Sequence, residues 1–124
     1  MKVLHDGRVM RQLLRGKIHR ATVTETDPDY VGSITIDQDL LDKADIWPGE
    51  RVLVADVDNG ERFETYVVAG YPGSGTIGVN GSAARLVTKG DKVIVMAFEL
   101  TDSPVSPKIV LVDERNRFVS FLKT

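Results

Sequence analysis

The sequence predicts a mainly β protein, a small β-barrel with short helices. Two observations carry this: short runs rich in β-branched and aromatic residues follow one another, and Gly, Pro, Asn and Asp clusters punctuate them. A third is that helical patterning is confined to two short segments, which leaves a closed sheet as the way to bury the apolar faces.

Taken in order, residues 1–9 mix charges with Gly7 and have no period, so they read as an N-terminal extension, with Met10 an alternative start and residues 10–124 a single domain. Lys17 to Thr24 reads as a strand from its β-branched content, although Ile18, Ala21 and Val23 share a face only roughly. Lys17 and His19, two apart, project from the same face of that strand. Glu25 to Asp29 is turn-rich, and Ile34-Thr35-Ile36 alternates as a strand. Asp37 or Asp39 is placed to cap a helix carrying Leu40, Leu41 and Ala44, which Trp47-Pro48-Gly49-Glu50 ends.

Arg51 to Val57 is a mostly apolar strand, and Asn59-Gly60 is the strongest hairpin signal in the chain. On the return strand, Arg62, Glu64, Tyr66 and Val68 face one way and Phe63, Thr65 and Val67 the other, and alternation does not decide which set is inside. After the Pro72 to Gly75 turn, a short strand runs from Thr76 to Val79. Asn80-Gly81 then opens a short helix whose first N–H groups are free to face an anion. Lys89-Gly90-Asp91 turns into a core strand, Lys92 to Leu100. A loop with Pro104 and Pro107 leads to the strand Lys108 to Val112, a polar turn from Asp113 to Arg117, and a terminal strand or helix, Phe118 to Leu122.

Composition narrows the function. A net charge of −2 lacks the basic excess of a nucleic-acid footprint. No cysteine means no disulfide, thiolate site or thiol nucleophile, and two histidines are too few for a three-histidine zinc site. The apolar runs fall far short of a membrane span, and the N-terminus lacks a signal-peptide core, so a cytoplasmic protein without a membrane partner is expected.

One stretch invites chemistry: Tyr30-Val31-Gly32-Ser33. Gly32 is free to take backbone angles closed to other residues. The Ser33 hydroxyl follows that carbonyl directly, and it can attack it to make an ester if the peptide is strained and the oxyanion stabilised. A Gly-Ser pair alone is ordinary loop punctuation.

Other segments raise that signal. Leu14-Arg15-Gly16-Lys17-Ile18-His19-Arg20, Tyr30 to Asp37, Asn59-Gly60-Glu61-Arg62-Phe63-Glu64-Thr65-Tyr66 and Val79-Asn80-Gly81-Ser82-Ala83-Ala84, with Lys89-Gly90-Asp91, together resemble the pyruvoyl-dependent aspartate 1-decarboxylase family of the pantothenate pathway. The likeness runs from about Met10 to Phe98 in family order and spacing. Ser82 departs from it, standing where alanine is more usual, and the leader before Met10 is extra.

The resemblance implies a double-psi β-barrel, a homotetramer with active sites between subunits, and self-cleavage between Gly32 and Ser33. It implies that Ser33 becomes a pyruvoyl group forming a Schiff base with L-aspartate, without metal or pyridoxal phosphate, and that β-alanine and CO₂ are made. Carried onto this chain, it makes Thr65 the donor to the Gly32 carbonyl during cleavage and Tyr66 the acid that protonates the carbanion. Arg62 and Lys17 suit the two substrate carboxylates. Asn80, Gly81, Ser82 and Ala83 line the pocket, Tyr30 flanks the cleaved bond, and His19 lies close by. Cleavage in such a family is spontaneous or, in some bacteria, needs an accessory maturation protein. Two other readings remain at this point: a non-catalytic barrel module, and a family member taking glutamate, one methylene longer.

Overall fold

The computed structural model describes residues 7–123, so the expected extension is described only from Gly7, where Arg8 donates to the Asp102 carboxylate at 2.9 Å. The first strand is longer than its sequence signal. β1 (Arg11–Thr22) starts six residues before Lys17 because its early part pairs antiparallel with Phe98 to Thr101. Arg20 has φ 61, and the register slips between Ile18 and Ala21. That bulge resets the alternation, which is why Ile18 and Ala21, three apart, both point inward.

The chain continues through Val23 and Thr24 into β2 (Glu25–Asp27), which pairs parallel with β6 (Ile77–Asn80). This corrects the sequence expectation of a plain turn. The turn starts only at Asp27, whose carboxylate accepts from Asp29 N at 3.1 Å. The remaining strands are β3 (Ser33–Asp37), β4 (Arg51–Asp56), β5 (Arg62–Gly70), β7 (Lys92–Thr101), β8 (Lys108–Val112) and β9 (Phe118–Leu122). The sheet order is β2-β6-β3-β5-β4-β7-β1-β8-β9. Because β1 and β2 are one nearly continuous path lying at two places in that order, they close β6, β3, β5, β4 and β7 into a barrel, with β8 and β9 added beside β1.

Inside lies an apolar cluster that includes Ile18, Ala21, Val23, Ile34, Ile36, Val52, Val54, Val67, Ile77, Val79, Val93 and Val95. Each fully buried side chain of this kind stabilises the fold by roughly 1.5–3 kcal/mol. Helix α1 (Gln38–Ala44) adds Leu40, Leu41 and Ala44 to the cluster, and Asp37 caps it by accepting from Asp39 N. The same Asp37 carboxylate accepts from Gly73 N at 3.0 Å and Gly75 N at 2.8 Å, so one side chain ties the helix start to the Pro72–Gly75 turn. Gly16 is required where β1 passes α1, since a Cβ there would lie 2.0 Å from the Ala44 carbonyl oxygen.

β5 settles what alternation left open. Val67 is buried with Phe63 and Thr65 on its side, while Arg62, Glu64, Tyr66 and Val68 are exposed. The β4–β5 connection is a hairpin, yet not a two-residue turn. Gly60, at φ 78, donates to the Asp56 carbonyl, and the Asp56 carboxylate accepts from Asp58 N and Asn59 N. The polar turn before β9 hides a structural residue. Asn116 is 1% exposed, accepts from Thr22 N and donates to the carbonyls of Thr22 and Gly75.

Candidate active site

Ser33 is the first residue of β3 and is 1% exposed, whereas Val31 and Gly32 before it are exposed. Its Oγ donates to the Val31 carbonyl at 3.2 Å and accepts from Asn80 Nδ2 at 3.0 Å. Asn80 stands directly opposite Ser33 in the β3–β6 ladder and is 7% exposed. The Asn80 nitrogen also donates to Thr35 Oγ1 at 3.2 Å. The next segment is a 3₁₀ helix, Gly81–Leu86, to which the Asn80 side chain makes no cap bond.

Gly81, at φ +75, packs on the scissile segment: a Cβ there would lie 2.6 Å from Gly32 Cα and 2.9 Å from Gly32 N. The glycine requirement therefore falls on Gly81. Gly32 itself has open space around a built Cβ and lies outside the left-handed region, so the special backbone angles expected of it are not used. Tyr30 approaches the same turn with its carbonyl, while its side chain is exposed. Ser82 is exposed, and Ala83 is half-buried against the core.

β3 and β5 run parallel with Ile34 beside Val67. Continuing that register back by one residue, still within both strands, sets Ser33 beside Tyr66. Paired residues share a face, so Ser33, Thr35, Asn80 and Tyr66 all lie on the outer side of the barrel, with Arg62 on the same exposed face of β5 four residues before Tyr66, about 13 Å along the strand. Tyr66 is 42% exposed, and among the described residues Arg62 joins no ion pair, in contrast to Arg51, which pairs with Glu64. Thr65 precedes Tyr66 on the opposite face of β5, and no side-chain hydrogen bond joins it to Gly32 among the described residues.

Lys17 and His19 are not brought to this corner. They project outward from β1, which β4 and β7 separate from β5, about 14 Å along the sheet at the usual strand spacing. Lys17 has no ion-pair partner among the described residues, and His19 Nδ1 is buried without one. Burial, then the charges of Lys17 and Arg20, hold the His19 imidazole below its ordinary pKa of 6.5.

Sequence reasoning missed Thr35, although its position two residues after Ser33 on an alternating strand was a usable signal. It also missed the carboxylates of Asp56, Asp58 and Asp91, each offering an oxygen within 4.8 Å of the others. Asp56 Oδ2 is buried with no donor, and burial together with Asp91 pushes Asp56 up to about 6. These oxygens are of the type hard cations take, and a proton shared between Asp56 and Asp91 meets the same need.

Comparison with known proteins identifies the setting. The profile of the family described as Aspartate decarboxylase matches residues 9–119. The chain belongs to the aspartate decarboxylase family. Aspartate 1-decarboxylase of Neisseria meningitidis (serogroup C / serotype 2a, strain FAM18) is 56% identical over 113 residues, covering 88% of this chain and 89% of that one. Among solved structures, the crystal structure of the rationally designed mkDPBB_sym1 protein, a double-psi β-barrel design, is similar with a TM-score of 0.49 and 25% identity, covering 72% of this chain and 99% of that one. By its own strands, with one α-helix and one 3₁₀ helix among the described residues, the aspartate decarboxylase chain is mainly β, the fold class expected from its sequence.

Proposed function

We propose that the chain is a self-processing, pyruvoyl-dependent aspartate 1-decarboxylase that converts L-aspartate to β-alanine and CO₂ for pantothenate and coenzyme A synthesis. The observation that carries this reading is the Ser33 corner: a buried hydroxyl, held by Asn80, directly after an exposed glycine peptide and one strand from Tyr66.

In the proposed maturation, Ser33 Oγ attacks the Gly32 carbonyl carbon and the Gly32–Ser33 amide becomes an ester. Loss of the Ser33 α-proton then breaks the Cβ–Oγ bond, so residues 1–32 leave with a terminal carboxylate and residue 33 becomes dehydroalanine. Addition of water and loss of ammonia leave a ketone capping residues 33–124. Thr65, the neighbour of Tyr66 on β5, is the proposed donor to the oxyanion of the first step.

A pyruvoyl group at position 33 supplies the carbonyl that engages the substrate amine and the electron sink that α-decarboxylation needs. The chain's own residues do the rest. Arg62 grips one substrate carboxylate through its planar fork, and Tyr66 delivers a proton to the substrate α-carbon. Asn80 and the Gly81, Ser82 and Ala83 backbone line the site, and Tyr30 flanks it. Lys17 is proposed for the second carboxylate, with His19 near it, although both lie some 14 Å away along the sheet in one chain. That separation fits a site to which a neighbouring copy supplies β1, in the homotetramer proposed from the family resemblance. The reading needs neither metal nor pyridoxal phosphate, and a cytoplasmic location goes with it; among the described residues no helix is long and apolar enough to cross a membrane.

The test is to supply purified protein with L-aspartate or L-glutamate and assay the products. β-Alanine from aspartate is expected, with glutamate turned over far more slowly. Absence of β-alanine from processed, folded protein would overturn the proposal.

A further inference from the structure

The Asn80 amide has two N–H hydrogens, and the structure gives each a hydroxyl: Ser33 Oγ at 3.0 Å and Thr35 Oγ1 at 3.2 Å. Ser33 and Thr35 lie two apart on β3 and so share a face, with Asn80 opposite Ser33 on β6. An asparagine amide is nearly symmetric in shape, and only its partners decide which end faces which group. Were Thr35 apolar, one nearly buried Asn80 N–H would lose its acceptor. Turning the amide over would then present its oxygen to Ser33, and the Ser33 O–H would donate to that oxygen rather than to the Val31 carbonyl.

We infer that Thr35 is a positioning residue for self-cleavage: it locks Asn80 with its NH₂ on Ser33 Oγ, where the donor serves the elimination step. This rests on the self-processing reading and deepens it. In the elimination, Oγ takes the electron pair of the breaking Cβ–Oγ bond and departs as an oxygen of the Gly32 carboxylate. A hydrogen bond already aimed at Oγ stabilises the charge that develops there. The same donor contributes little to the first step, in which Oγ acts as a nucleophile and needs a free lone pair. Loss of Thr35 should therefore stall the chain at the ester, not before it.

The experiment follows maturation of the full chain in the wild type, Thr35→Val and Thr35→Ser, with and without hydroxylamine, which cuts esters and spares amides. Thr35→Val is expected to mature at least about tenfold more slowly, the worth of one hydrogen bond to a reacting oxygen, and its uncut chain is expected to be cleaved by hydroxylamine after residue 32. Thr35→Ser, which keeps the hydroxyl, is expected near the wild-type rate. If Thr35→Val does not fold, Thr35→Ala answers the same question. Maturation of the valine or alanine variant at the wild-type rate would overturn the inference, as would slow maturation with no hydroxylamine-sensitive chain or equal slowing in Thr35→Ser. A folded wild type that never cleaves would instead remove the self-processing reading, and the inference with it.

Discussion

Two patches on the outside of the barrel differ in how complete they are within one chain. At the Ser33 corner the buried polar groups answer one another: Ser33 with Asn80 and Val31, and Asn80 with Thr35. On β1 they do not. His19 Nδ1 is buried without a partner, and Lys17 joins no ion pair among the described residues. Buried polar atoms are nearly always satisfied in native proteins. The first patch is therefore satisfied within the chain, while the second leaves His19 Nδ1 without a partner among the described residues, and the proposed site shared between copies would supply one.

The largest expected effect sharpens the role of the complete patch. Tyr66→Phe should mature normally yet turn over aspartate about 10²–10⁴-fold more slowly, as loss of a general acid does. Full activity with normal processing would remove Tyr66 from its role. The next test could break the comparison outright. Lys17→Ala should raise KM roughly ten- to a hundredfold through loss of a charged contact. Co-assembled with Tyr66→Phe subunits it should regain activity in about a quarter of sites, because each intact site then draws one face from each variant. No recovery in verified mixed tetramers would place both residues in one subunit's site.

Smaller effects concern protons. Asp56, 2% exposed, also has an unanswered oxygen, but a carboxyl can answer its own need by holding a proton against Asp91. Its pKa is raised to about 6, so its stabilising contribution is whole below about 4 and is lost as pH rises through about 6. Asp56→Asn should therefore stabilise the fold by about 1–2 kcal/mol at pH 8 and by less at pH 4. Denaturant melts at the two pH values check this, and a gain equal at both would refute it. His19 is the subtlest case. Its lowered pKa means that its contribution is whole above 6.5 and declines as pH falls through the lowered value. NMR titration should show its imidazole charging only below 6.5, and a midpoint above that would contradict the burial assigned to it.

Much of this was legible in the sequence, for identifiable reasons. The strand after Ser33, the Asp37 cap and the buried face of α1 follow from local pattern, and the structure keeps them. The inward face of β5 was not legible, because Tyr66 and Phe63 are both bulky and only pairing with β4 and β3 decides between them. The phase of β1 was hidden by the bulge at Arg20. At the site, the motif pointed to Ser33, but the need for glycine lay at Gly81, a close approach between segments far apart in sequence. The separation of Lys17 from Ser33 is equally beyond local pattern, since it depends on sheet order.

The central claim is that the chain breaks its own backbone before Ser33. Intact mass of purified, folded protein measures this directly. The account predicts residues 1–32 ending in a normal carboxylate, and residues 33–124 lighter than a serine-initiated fragment by the difference between serine and a pyruvoyl cap, with Ser33→Ala remaining one chain. An active preparation whose mass is that of the uncut chain would contradict it.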